Sequence, residues 1–428
     1  MDLIEKLRAL EQRKKKASDR PSVLGNIVSA RDLTQLREQK KSRLEQYVPG
    51  QVYTNALGSF FLITEHYPSH YCQGVQVLPR IFSGDQLNQI AICEGDLLPE
   101  EPHLVYLDTE TTGLAGGTGT FAFLVGIGYW KETSGGETEF VVEQFFMRDY
   151  DEEAAMLASL AERFKEEQFD AVVTYNGRRF DIPLLTSRFI TNRSRDPISS
   201  LPQIDLLYPV RQLWKLSHGD CSLGNIEKQI LGVRRTGDIP GEQIPATYFQ
   251  FVRGGNPRKM IPIFDHNRHD LLSLCALTGK VVDRLAATTT EQLDPVEIYS
   301  LGRIHLRRGS MEQASFFLQK SNRELLPFQL YLKSQKEMSR AYKRLGQMEK
   351  AVELWMETIE DFQSGLPVTE DDSGLDLFAF EELAKYFEHQ KKDFERARDC
   401  VLKALDIATC QNWSSVEEKL KHRLSRLE

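Results

Sequence analysis

Residues 103–111 read HLVYLDTET. The run Leu104-Val105-Tyr106-Leu107 is apolar without interruption, which is how a buried strand reads. Asp108 and Glu110 follow at i and i+2. Successive strand residues point to opposite faces, so these two carboxylates project together where the strand opens into a loop. Thr111, Thr112 and Gly113 come next, and a glycine there lets the backbone approach a ligand closely. Hard divalent ions such as Mg²⁺ take oxygen ligands of this type. A D-x-E pair by itself is a common surface feature, and the rest of the chain has to supply its meaning.

Working outward, 121–130 (FAFLVGIGYW) and 139–147 (EFVVEQFFM) read as two further strands, with Ser134-Gly135-Gly136 as the hairpin turn between them. Asp151 to Lys165 reads as an amphipathic helix with Ala155, Leu157, Leu160, Ala161 and Phe164 toward one face. Residues 169–176 (FDAVVTYN) form a short apolar strand ended by Asn176-Gly177, and Pro183 falls in the first turn of the next helix. That helix is opened by Asp181, whose ordinary role would be a cap. Tyr175 and Asn176 stand where a backbone or nucleotide could be gripped, and Phe180 reads as core or as a stacking residue. Asp265 to Leu285 returns to a helical pattern. There His266 and Asp270 lie four apart and share a face. His269 points elsewhere, and Asp205 in QIDLLYPV reads as structural.

Taken together, YLDTETTGLAGGTGTFAFLVG (106–126), TYNGRRFDIPLL (174–185) and DHNRHDLLSLCAL (265–277) resemble the DEDD exonuclease motifs. The order of three strands, helix, strand and helix is that of the ribonuclease-H-like fold, by analogy. With the N-terminal extension and helical tail, the chain resembles the YprB-type bacterial proteins. That resemblance implies a bacterial cytosolic nuclease acting in DNA repair beside a helicase. It implies Asp108, Glu110, Asp181 and Asp270 as ligands of two divalent ions, Mg²⁺ or Mn²⁺, and His266 as general base. The spacing of His266 from Asp270 is that of the tyrosine branch of the family, yet the residue is histidine. Thr109, Thr111, Gly113, Tyr175 and Asn176 are the expected substrate contacts. DNA is preferred to RNA as the polymer. An exoribonuclease of the same mechanism and a non-catalytic scaffold are the alternatives.

From about residue 295 the pattern changes. YSLGRIHLRRGSMEQASFFLQKS and EMSRAYKRLGQMEKAVELWMETI align, pairing Gly309, Ala314 and Leu318 with Gly346, Ala351 and Trp355. LAKYFEHQKKDFERARDCVLKAL aligns through Ala397, Val401 and Ala404 with one extra residue in the turn. The set resembles the tetratricopeptide repeat, although its Ala-to-Ala spacings of 37 and 46 depart from the usual period. Such repeats imply a protein-docking or domain-bracing element that the catalytic centre does not need. The expected architecture is therefore α/β, a ribonuclease-H-like mixed sheet with flanking helices, plus a C-terminal all-α tetratricopeptide-like domain. The divisions are a basic helical arm at 1–50, a β-rich extension at 51–103, the exonuclease domain at 104–290 and the repeats at 295–428.

Composition fits this class. The 428 residues are 41% hydrophobic and 27% charged, ordinary for a globular protein. The longest apolar run, Phe121 to Trp130, is interrupted by two glycines and is too short for a bilayer, so no membrane role is expected. An apolar secretory signal is not apparent. Cys72, Cys93, Cys221, Cys275, Cys400 and Cys410 include no C-x-x-C pair, so a reducing cytoplasm is the expected location. The net charge of −8 is uneven: residues 1–47 carry twelve Lys/Arg against seven Asp/Glu. A basic arm on an acidic body suits nucleic-acid contact as well as it suits a solvated helix. The long Gly/Pro-rich stretch at 236–262, part of a connection from 191, reads as functional because simple connections are shorter.

Overall fold

A computed structural model describes residues 44–90, 97–113, 119–321, 324–363 and 377–427. Most of the basic arm lies outside them. Of the arm expected to be helical over 1–50, the described part includes a 3-10 turn, Leu44–Gln46, with Leu44 and Val48 in the core.

β1 (Gln51–Asn55) and β2 (Gly58–Pro68) form a hairpin, followed by a minor ribbon of β3 (Cys72–Gln73) and β4 (Gln76–Val77). Of the stretch NQIAICEGDLL (88–98), which reads as strand, residues 91–96 lie outside the described residues, and α1 (Gly84–Asn88) runs to its start. Ser83 and Gln86 close a reciprocal capping box, which satisfies two donors at the helix start.

The principal sheet adds β5 (Leu104–Thr111), β6 (Ala122–Glu132) and β7 (Thr138–Phe146) as an antiparallel meander. After α2 (Glu153–Glu167) comes β8 (Ala171–Thr174), parallel to β5. After α3 (Asp181–Thr191) comes β9 (Gln203–Asp205), parallel to β8. The strand order is β1-β2-β7-β6-β5-β8-β9, a mixed seven-stranded sheet. The 51–103 extension is thus continuous with the fold. β2 pairs along β7 from Phe61↔Phe146 to Pro68↔Glu139 and widens the sheet at that edge.

Period-two alternation sorts β5 between two cores. Val105 and Leu107 join the apolar cluster under α2 and α3, while Leu104 and Tyr106 join the one on the other face. That second cluster is built with α4 (Leu207–His218), the short α5 (Leu223–Ile226) and α7 (Ile261–Leu285), the last reached through α6 (Ile244–Val252). Gly126 of β6 lets α7 lie close on the sheet: a Cβ there would stand 2.2 Å from Asn267 Oδ1, whereas at Gly128 it would meet the Phe140 ring of β7 at 2.7 Å.

The C-terminal region is a succession of helical hairpins: α8 (Pro295–Arg308) with α9 (Met311–Gln319), α10 (Phe328–Arg344) with α11 (Met348–Gln363), and α12 (Phe378–Tyr386) with α13 (Phe394–Cys410), then α14 (Ser414–Leu424). The aligned Ala314, Ala351 and Ala397 are fully buried. Gly309 and Gly346 turn the first two hairpins at φ +83° and +73°, where glycine is unstrained. The third hairpin has Lys392 at φ +55° and a π-turn, Phe387–Lys391, just before it. A π-turn accommodates one more residue than an α-turn. This absorbs the extra residue of the third unit and keeps its packing positions in phase.

The hairpins begin directly on the α/β domain. Glu297 of α8 accepts from Trp214 Nε1 (2.9 Å) and Arg284 Nε (2.8 Å). Ile298, Leu301 and Ile304 share one buried cluster with Leu213, Trp214 and Leu285.

Candidate metal centre

Asp108 has the same parity as Leu104 and Tyr106, so its side chain leans toward the face that α7 covers. Asn267 of α7 meets it there, its Nδ2 donating to Asp108 Oδ2 at 2.8 Å. Asn267 is itself fixed by Gln144, whose Nε2 donates to its Oδ1 at 2.9 Å and to Phe264 O at 2.8 Å. One helical turn along, His266 and Asp270 bring Nε2 and Oδ2 to 3.4 Å, and His266 Nε2 lies 4.0 Å from Glu110 Oε1. Ligand atoms of Glu110, His266 and Asp270 all fall within 4.8 Å of one another.

Asp181 arrives from the far side of the strand. Phe180 takes the N-cap position of α3 and Asp181 is the first helical residue, so the carboxylate is not used as a cap. Thr109 Oγ1 donates to Asp181 Oδ1 at 2.5 Å. Its place in the first turn also suits a negative charge at the positive end of the helix. Asp108, Glu110 and Asp181 border a cavity of about 690 Å³ with Thr109, Thr111, Gly113 and Phe180.

Asp108 and Glu110 lie buried among the other acids. Removal from water pushes the Asp108 carboxyl well above its ordinary value, and Asp270, Asp181 and Glu110 add to the rise, while Asn267 opposes it. Glu110 is raised likewise, first by burial, then by Asp270, Asp181 and Asp238. Burial raises Asp181 to about 6 against the hydrogen bond from Thr109. Hard oxygen donors that converge and repel one another fit a divalent cation, which would relieve desolvation and repulsion together.

One cation of the protein already stands here. Arg235 Nη2 donates to Asp270 Oδ1 and to Glu227 Oε1 (2.5 Å), and Nη1 lies 3.4 Å from Asp238 Oδ2. Glu227 is buried in a π-turn, Glu227–Leu231, that continues α5. Asp238 Oδ1 lies 2.8 Å from His266 Nδ1. Arg235, Asp238, Asn267 and Glu227 are absent from the sequence reading. The only signal for the first two was the length of the 191–262 connection that carries them.

The remaining expectations divide. Thr111 donates to Gly113 O at 3.0 Å and both line the cavity. Tyr175 turns away: it packs on the second core cluster, and its OH donates to Cys221 O at 2.5 Å. Asn176 sits at φ +65° with its N–H on Asp205 Oδ1 at 2.7 Å, and Asp205 also accepts from Leu207 N at 3.1 Å. Asp205 is fully buried and holds that loop, the structural role read for it. Phe180 is no core residue: it takes the N-cap position ahead of α3 and is 56% exposed at the cavity. His269 is half-buried on α7, and burial lowers its imidazole below the ordinary value.

Residues 105–282 match the RNase_H_2 family of the RNase_H superfamily. Over 326 residues, 76% of the chain, the sequence is 31% identical to a Bacillus subtilis (strain 168) protein described as uncharacterized protein YprB, 74% of which is covered. Among solved structures, the family B DNA polymerase from the hyperthermophilic archaeon Pyrobaculum calidifontis aligns with a TM-score of 0.36 and 14% identity over 65% of this chain. The aligned part is 44% of that polymerase. Among the described residues no helix is long and apolar enough to cross a membrane. The mixed sheet, the acids at its open end and the match to the B. subtilis protein together place the chain in the YprB family, with a ribonuclease-H-like domain of nuclease type at its centre.

Proposed function

We propose that the chain is a metal-dependent 3′–5′ exonuclease that hydrolyses DNA phosphodiester bonds at a DEDD-type site. The observation that carries this reading is the convergence of Asp108, Glu110, Asp181 and Asp270 from three elements, three of them opening on one cavity. Two Mg²⁺ or Mn²⁺ ions held by these acids would supply an activated water and charge stabilisation at the leaving 3′-oxygen. The protein's own side chains do the rest. Thr109 keeps Asp181 aimed across the strand, and Asn267 keeps Asp108 aimed at α7. His266, with Nε2 toward Glu110 and Asp270, accepts the proton of the attacking water. The exposed ring of Phe180, with Arg179 beside it at the cavity, offers a stacking face and a phosphate partner for an unpaired end. Thr111 and Gly113 shape the same wall. Work in cytoplasmic DNA repair beside a helicase, docked through tetratricopeptide-like hairpins, is the setting that the family resemblance suggests.

The test is digestion of 3′- and 5′-labelled single- and double-stranded DNA and RNA with Mg²⁺, Mn²⁺ or EDTA. Mononucleotides should leave the 3′ end of DNA and none should appear in EDTA. Asp108→Asn should be slower by at least about a hundredfold, by analogy with loss of one essential electrostatic group. Undiminished cleavage in EDTA ends the metal reading. Faster cleavage of RNA than DNA makes the chain an exoribonuclease of the same site.

A further inference from the structure

The segment between α5 and α6 places two charged side chains against the acids, and the roles assigned above use neither. Arg235 is anchored by buried Glu227. Three residues later, past Gly237 at φ +74°, Asp238 reaches the outer nitrogen of His266. We propose that Asp238 is a positioning residue: it holds His266 as the Nδ1–H tautomer and aims the Nε2 lone pair into the acid cluster. The inference rests on His266 as the base of the reading above.

A neutral imidazole carries one N–H. If the hydrogen were on Nε2, the Nδ1 lone pair would face the Asp238 carboxylate at 2.8 Å with no hydrogen between them. With the hydrogen on Nδ1, that contact becomes a charge-assisted hydrogen bond. Nε2 is then free, 3.4 Å from Asp270 Oδ2 and 4.0 Å from Glu110 Oε1. Arg235 Nη1 lies 3.3 Å from the same Nδ1 and would favour the opposite tautomer. Its guanidinium is already engaged by Glu227, Asp270 and Asp238, so the shorter carboxylate contact decides. Arg235 braces the loop, and Asp238, with a side chain 30% exposed, is the residue that loop delivers. A base whose second nitrogen is held by an acid has its tautomer and ring plane fixed before substrate arrives.

The test uses full-length protein labelled with ¹⁵N-histidine and saturated with Mg²⁺ at alkaline pH. Long-range ¹H–¹⁵N correlation reads the ring tautomer, and the His266 signals are assigned by their loss in His266→Gln. The wild-type ring should carry its proton on Nδ1. Asp238→Ala should lose that preference and lower kcat roughly 10–100-fold, on the order of the cost of removing a partner that orients a histidine, with KM unchanged. Asp238→Glu, which keeps the charge, should restore part of both. A wild-type ring protonated on Nε2 overturns the proposal without any variant, and so does an Asp238→Ala protein with unchanged ring and kcat. Full activity in His266→Ala alongside the expected tautomer would remove His266 from the chemistry and leave the Asp238 contact standing, so the two failures are distinguishable.

Discussion

Asp181 shows at the scale of one residue what burying a carboxyl costs the fold. Its carboxyl rises from an ordinary 3.8 to about 6, and Asp108 and Glu110 rise with it. A raised carboxyl binds its proton more tightly in the folded than in the unfolded chain. The penalty is therefore absent below the unfolded value and fully present above the folded one. In EDTA, the melting temperature should climb as pH falls from neutral toward about 5. Mg²⁺ at neutral pH should also raise it, by an amount that shrinks as the pH drops, because protons and metal relieve the same repulsion. Asp181→Asn should flatten part of the slope in EDTA. A melting temperature indifferent to both pH and Mg²⁺ would mean that these acids are neither crowded nor a metal site.

At the scale of elements, β6 and α7 are fitted to each other by the absence of a side chain. Gly126 leaves the space that Asn267 fills, and Asn267 in turn holds Asp108. Gly126→Ala would drive a methyl into a fully buried amide tied by Gln144. Overpacking of that kind costs about 1–3 kcal/mol. The loss should be read both as a lower denaturation midpoint and as a fall in kcat, since Asn267 cannot move without releasing Asp108. Gly224→Ala is the control: its Cβ meets nothing within 4 Å in helix α5, so neither quantity should fall. The strand was legible from its apolar run, as were α2, β8 and the hairpin turn. The use of Gly126 was not, because only the helix lying across it gives it a purpose.

At the scale of the molecule, the helical hairpins brace the nuclease domain as well as extending it. α8 covers Leu213, Trp214 and Leu285, and α7, which carries His266 and Asp270, ends at that contact. A chain ending after residue 290 should therefore lose solubility or melt well below the full chain, contrary to the sequence expectation that the repeats can be removed. One ending after Ser321 keeps α8 and α9 and should still digest a short oligonucleotide. Glu297→Ala leaves Trp214 Nε1 and Arg284 without their acceptor, a cost of about 1–3 kcal/mol measurable by denaturant unfolding. Equal stability of the 290 and 321 truncations would show that the contact contributes nothing.

The sequence by itself determined whatever depends on neighbours along the chain. Period-two alternation set β5 and put Asp108 beside Glu110, period 3.6 put His266 beside Asp270, and Ser134-Gly135-Gly136 set the β6–β7 hairpin. The repeat alignment even registered the extra residue that the π-turn of the third hairpin takes up. Tertiary structure alone decided that Asn267 reaches Asp108 across 159 positions, that Arg235 and Asp238 stand among the acids, and that Tyr175 is spent on Cys221. It also decided that β2 widens the sheet and that α8 closes the second core. A single Arg, Asp or Asn in a long connection has no period and no fixed partner spacing. Its role comes into being only when packing of the apolar faces brings distant segments of chain together.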